Sequence, residues 1–166
     1  MKPIHLEVIF KALNAANARY LVVGGVAVMA HGYVRMTRDL DLVIALDGDN
    51  PTLVLTVFQK LGYRPTVPVQ LMDFTNSENR HVWKMEKGML VFQIISDRYV
   101  DCPVDIFVEE PISFSEMYSA RVEYEISPQL NIPIIGLTHL RRLKRDAGRP
   151  RDLLDLEELD QLNDQI

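Results

Sequence analysis

Two aspartates one residue apart, Asp39 and Asp41, head the apolar run Leu40 to Leu46. Side chains alternate across a strand, so both carboxylates leave the same face while Leu40 leaves the other. Two like charges side by side repel, and the edge of an apolar strand solvates them poorly. A hard divalent cation with oxygen ligands relieves that repulsion, and magnesium is the usual ion where phosphates complete the shell. Solvated carboxylates at a strand end are the plain alternative. What favours the metal is the company the pair keeps. Upstream, the short β-branched run Tyr20-Leu21-Val22-Val23 ends in Gly24-Gly25, and Val26 to His31 has the composition of a short helix stopped by Gly32. A strand, a glycine turn and a helix N-terminus together form a ready place for a phosphate, because backbone N–H groups and the helix dipole point at it.

A third acid stands out. Asp105 lies in the middle of the apolar run Pro103 to Val108, where a lone carboxylate is costly unless something pairs with it. Asp101 is its rival, but it precedes Cys102-Pro103 and so belongs to a turn. Near the C-terminus, Arg141 to Arg151 holds six basic residues against one acid, and from Asp152 onward there are six acids and no base. On helical geometry Leu137, Leu140, Leu143 and Ala147 make a buried arc, and Lys144 falls inside it while Arg141, Arg142 and Arg145 do not. A lysine there either snorkels or meets an anion. In the following helix Asp155 shares a side with Leu159 and Leu162. A basic stretch beside a carboxylate site suits a triphosphate or an RNA end; a solvated helix with i,i+4 pairs is the bland reading.

The spacing of Gly24-Gly25 and Asp39-x-Asp41 resembles the nucleotidyltransferase superfamily that includes DNA polymerase β. The string GGVAVMAHGYVRMTRDLDLVI is similar to its small bacterial AbiEii-type toxin branch, and LKRDAGRPRDLLDLEEL is similar to the C-terminal motif of that branch. The resemblance implies a mixed α/β fold: a twisted sheet flanked by helices, with a core over residues 1–135 and a C-terminal helical pair over 136–166. It implies Asp39, Asp41 and Asp105 as ligands of two magnesium ions, with manganese as a substitute, and Lys144 as the group neutralising charge on the phosphates. It also implies nucleotide contacts from Gly24, Gly25, Arg149, Asp152 and Asp155; Arg35 and Thr37, just before the carboxylates, either touch phosphate or ribose or serve packing. Many members carry Gly-Ser where this chain has Gly24-Gly25, so backbone N–H groups would hold the phosphate without a serine hydroxyl. Arg151 replaces a lysine common in the family and binds phosphate with a different geometry. The expected reaction is transfer of a nucleotide from a nucleoside triphosphate to an acceptor hydroxyl. The expected acceptor is an RNA or tRNA end, a protein or a small molecule, and a cognate antitoxin is the expected partner of a toxin-antitoxin component. An inactive nucleotide-binding module of the same fold is the alternative.

The rest of the chain bounds these readings. Its 166 residues suit one domain with a small appendage. Hydrophobic and charged contents of 48% and 25% are ordinary for a globular protein. The net charge of -5 argues against a general nucleic-acid coat. Neither a membrane-length apolar run nor a signal-peptide pattern is seen, and Cys102 has no partner for a disulfide, so a cytoplasmic protein without membrane contact is expected. Periodicity predicts helices over 4–16 and 52–61, irregular chain with a short strand over 63–79, and a hairpin of strands 80–85 and 89–95 turning at Glu86-Lys87-Gly88. In that hairpin His81 would lie on a sheet face. A short helix over 114–120, strands over 121–126 and 131–134, and helices ending at 147 and running from about 151 to 162 complete the expectation.

Overall fold

A computed structural model describes residues 1–163, so the last three residues of the expected C-terminal extension lie outside the described residues. The chain opens with α1 (Pro3–Ala15), whose Leu6, Ile9, Phe10 and Leu13 are buried at helical spacing. β1 (Tyr20–Val22) is buried on both faces, as its β-branched run requires. It runs through Val23 into α2 (Gly24–Ala30). β2 (Leu40–Ile44) follows a loop, and α3 (Asn50–Lys60), with Pro51 in its first turn, returns over the sheet. β3 (Tyr63–Pro65) and a 3-10 turn over Leu71–Thr75 lead to α4 (Ser77–Lys87). β4 (Val91–Ser96), β5 (Val104–Phe107), α5 (Phe114–Ser119), β6 (Val122–Ser127) and β7 (Leu130–Ile134) complete the sheet, and α6 (Leu137–Ala147) and α7 (Pro150–Asn163) close the described chain.

The strands lie in the order β3-β4-β5-β2-β1-β7-β6, a single mixed sheet. β2 pairs parallel with β5 and antiparallel with β1, and β1 meets β7 in parallel. The fold class is therefore the mixed α/β architecture expected. Its core gathers around Phe10, Tyr20, Leu40, Leu42, Ile44, Phe58, Phe74 and Phe92, all essentially inaccessible. Cys102 lies in this core, and burial pushes its thiol up to about 12, which makes it a packing residue.

One expected element is corrected. The segment 80–85 is not a strand, and 80–95 is not a hairpin: residues 77–87 form α4. The alternation of Arg80-His81-Val82-Trp83 imitates a strand, but the ends of the segment decide otherwise. The Asn76 side chain accepts from the N–H groups of Glu78 (2.8 Å) and Asn79 (3.4 Å), which caps a helix start. Glu78 occupies the first turn, Lys84 and Lys87 the last, and Gly88 closes it in the left-handed conformation at φ 62°. Arg80 turns inward and donates to the Phe74 carbonyl at 2.6 Å. His81 is an exposed helix residue, not a sheet-face one. Only the second expected strand, now β4, remains.

Candidate active site

The site forms where β2 begins. β2 and β5 run parallel with Asp41 opposite Asp105, so their side chains leave the same face of the sheet. Asp39 lies one residue before β2 and shares that side. On the next strand Gln93 stands opposite Asp105, and its Nε2 donates to Asp105 Oδ1 at 2.9 Å. Asp105 is 9% exposed.

The Gly24-Gly25 turn leans directly on this face. Gly24 adopts φ +59°, and a Cβ there would overlap the Asp41 carboxylate. Glycine is required at Gly24 on both counts, conformation and space. Gly25 is required by packing alone: a Cβ would overlap the Thr37 hydroxyl and stand 2.7 Å from Thr37 Cβ and 3.1 Å from Arg35 Nη1. The absent serine is thus explained locally, since the Thr37 hydroxyl fills the space beside Gly25. Thr37 Oγ1 donates to Asp39 Oδ1 at 3.2 Å. The Gly25 N–H bonds the Asp41 carboxylate.

Three carboxylates gathered in this way disfavour one another's ionisation. Burial, then Asp39 and Asp105, raise Asp41 to about 6, against the opposing pull of the Gly25 N–H and of Lys144. Burial likewise raises Asp105, with Gln93 opposing and Asp39 adding to the shift. Among the described residues no three acidic, histidine or cysteine side chains stand grouped as a metal-ligand set. The donor chemistry nonetheless fits a hard divalent cation: all-oxygen ligands, mutual repulsion, and no cation paired directly with Asp39 or Asp41 among the described ion pairs.

The C-terminal helices hold a second, balanced cluster behind the first. Lys144 on α6 is 5% exposed, and its Nζ lies 2.8 Å from Asp152 Oδ1 and 2.7 Å from Asp155 Oδ2. Asp155 also takes Arg35, with Nε 2.7 Å from Oδ1 and Nη2 2.9 Å from Oδ2. Arg149 Nε donates to Asp152 at 2.6 Å. Burial opposes ionisation of Asp152, but its bonds from Arg149 and Lys144 outweigh that and hold its carboxyl below the usual range. Arg151 donates to the Met36 carbonyl. Thus Asp39, Asp41 and Asp105 lie near enough to shift one another's ionisation, with Gly24, Gly25 and Thr37 beside them, while Arg35, Lys144, Arg149, Asp152 and Asp155 form an ion network joining α6 and α7 to the 35–37 loop. Much of the basic stretch 141–151 is paired internally, including Arg141 with Asp160 at 2.7 Å and Arg142 with Asp146 at 4.0 Å.

Sequence reasoning did not single out Gln93. Its signal was faint: a polar residue between Phe92 and Ile94, on a strand whose register against Asp105 pairs distant parts of the chain.

The fold matches solved nucleotidyltransferases. The lincosamide antibiotic adenylyltransferase LnuA, bound to lincomycin, shares 16% identity over 92% of both chains, with a TM-score of 0.59. A Thermotoga maritima protein provisionally described as a nucleotidyltransferase shares 16% identity over 99% of this chain and 96% of its own, with a TM-score of 0.58. No curated protein matches in sequence. Together with the family match over residues 5–130, these structures support the superfamily expected from Gly24-Gly25 and Asp39-x-Asp41, but not its AbiEii-type branch, and nothing in them points to RNA or an antitoxin. That branch was suggested by a short central motif and by a charged C-terminal string that lies beyond the matched residues, where the charges serve an internal ion network. Residues 5–130 match the model of the aminoglycoside-2''-adenylyltransferase family, and the chain belongs to that family.

Proposed function

We propose that the protein is a magnesium-dependent adenylyltransferase that moves AMP from ATP to a hydroxyl of an acceptor. The reading rests on one observation: the parallel register that sets Asp41 against Asp105, with Asp39 on the same face and the glycine turn beside them. The adenylyl group and the hydroxyl acceptor follow from the family. In the transfer the acceptor oxygen bonds to the α-phosphorus, the bond to the bridging oxygen breaks, and pyrophosphate leaves. Asp39, Asp41 and Asp105 would hold the magnesium, which supplies charge stabilisation on the attacking and leaving oxygens. Asp105, whose proton affinity burial raises, would take the acceptor's proton. Thr37 orients Asp39, and the Gly24-Gly25 turn lets the phosphates approach backbone closely. Lys144, held between Asp152 and Asp155, acts on the site from behind by opposing the rise in Asp41's proton affinity.

The test is binding of Mg-ATP by calorimetry to the protein and to the double variant Asp39→Ala with Asp41→Ala. Binding is expected to disappear in the variant while its circular dichroism stays unchanged. Equal binding by both proteins would remove the carboxylates from the reaction. A screen against four labelled triphosphates then reads the base preference directly.

A further inference from the structure

Next to the carboxylates lies an apolar pocket of about 470 Å³, between α1, α2, the 35–37 loop and the β6-β7 pair. Its walls include Leu6, Val26, Met29, Tyr124, Ile126 and Ile132. Only two of its lining residues, Arg35 and Thr37, bear side chains able to act as strong polar contacts away from the tyrosine, and no acid lines it. The Arg35 guanidinium is neutralised by buried Asp155 and also donates to the Met36 carbonyl at 3.0 Å, so the pocket presents little net charge. Thr37 is the shared wall, because its hydroxyl donates to Asp39 at 3.2 Å. A molecule seated in the pocket would therefore end one side chain away from the first carboxylate.

We infer that this pocket receives the apolar body of an uncharged, hydroxyl-bearing acceptor and presents its hydroxyl at the Thr37 end. The inference deepens the adenylyl-transfer reading, on which the word acceptor rests. Three physical points support it. The volume lies within the range of small-molecule sites, which are concave, largely apolar and marked by few polar groups. Flexible Met29 and amphipathic Tyr124 suit an irregular apolar ligand. Finally, a polycationic amino sugar would need carboxylates along its length, and the pocket has none. An acid-lined hollow does exist, edged by Glu78, Glu109 and Glu110, but it opens at Leu46 and Val108. That is the opposite end of β2 from Asp41, five residues on, or roughly 16 Å at strand rise. Two of its three acids are also engaged: Glu109 pairs with Lys84 at 2.5 Å, and Glu110 accepts from the Phe114 N–H at 2.7 Å.

Octyl glucoside below its micellar concentration serves as a neutral, hydroxylated, apolar-bodied probe, and kanamycin as a polycationic one. Calorimetry on the whole protein with Mg-ATP present should give octyl glucoside at least tenfold tighter binding than kanamycin. Ala30→Phe, which fills the pocket from the end of α2, should weaken octyl glucoside at least tenfold and change Mg-ATP affinity less than twofold. Tyr124→Glu, on an exposed strand, gives a second route: it should weaken the neutral probe and strengthen kanamycin. Tighter kanamycin binding to the unaltered protein, or octyl glucoside binding indifferent to both variants, overturns the inference. So does a stable dimer that Ala30→Phe dissociates, since the pocket would then be an interface between copies. Loss of Mg-ATP binding in the unaltered protein would instead sink the adenylyl-transfer reading, and the probe titrations, repeated without nucleotide, would still decide the pocket.

Discussion

Asp41 is stabilised in its neutral form by folding. Burial and its two acidic neighbours lift it from an ordinary 3.8 to about 6. The folded protein then binds a proton more tightly than the unfolded chain does. Stability is highest where Asp41 is protonated in both states, falls as pH rises from about 4 to about 6, and stays lower above. A gap of this size corresponds to about 3 kcal/mol. Asp41→Asn should therefore raise the melting temperature in EDTA at pH 8 and leave it nearly unchanged at pH 4. Magnesium should raise the melting temperature of the unaltered protein at pH 8 and do little for the variant. A variant less stable at pH 8 would mean that the Gly25 N–H and Lys144 outweigh the repulsion. The same residue thus weakens the metal-free fold and equips it to bind a cation.

At the scale of elements, the caps and turns carry the decisions. Gly24 joins β1 to α2 at φ +59°, with the Asp41 carboxylate against its Cα. Gly24→Ala should cost on the order of 1–3 kcal/mol from backbone strain, and it should abolish Mg-ATP binding by displacing Asp41. Urea denaturation and calorimetry read the two effects separately. The start of α4 depends on Asn76 in the same local way. Asn76→Ala should destabilise the protein by about 1 kcal/mol, measured by urea denaturation, with no change in nucleotide affinity because α4 does not line the carboxylates. The strand-like alternation of 80–85 misled because period two and period 3.6 are hard to separate over six residues, whereas a cap acts through identified hydrogen bonds.

For the whole molecule, the network of Lys144, Asp152, Asp155 and Arg35 ties the C-terminal helices to the loop that delivers Thr37 and Asp39. Lys144→Ala would leave two nearly inaccessible carboxylates short of a cation. That should cost about 3–5 kcal/mol, whereas Arg142→Ala, which touches only exposed Asp146, should stay within about 0.5 kcal/mol. Chemical denaturation of the two variants checks the contrast. Similar losses would show that α6 is held by its apolar arc alone. A cluster so well balanced also limits what the basic stretch offers to an outside polyanion, since Arg141, Arg142, Lys144 and Arg149 already face acids of the same chain.

The chain's local chemistry was sufficient for a large part of this description. The β-branched run before Gly24-Gly25, the alternation that puts Asp39 and Asp41 on one side, and the helical arc that turns Lys144 inward all follow from neighbouring residues. The mixed α/β class and the superfamily came through the family resemblance that the Gly24-Gly25 and Asp39-x-Asp41 motifs carry. Three things belong to the tertiary structure alone. One is the register that brings Asp105 and Gln93 to Asp41, because strand pairing joins segments dozens of residues apart and a shift by one residue would reverse each face. Another is the pairing of Arg35 with Asp155, since a buried charge selects its partner by desolvation and geometry rather than by spacing. The last is the apolar pocket, whose walls come from both ends of the matched family region and take shape only when the sheet closes over α1 and α2.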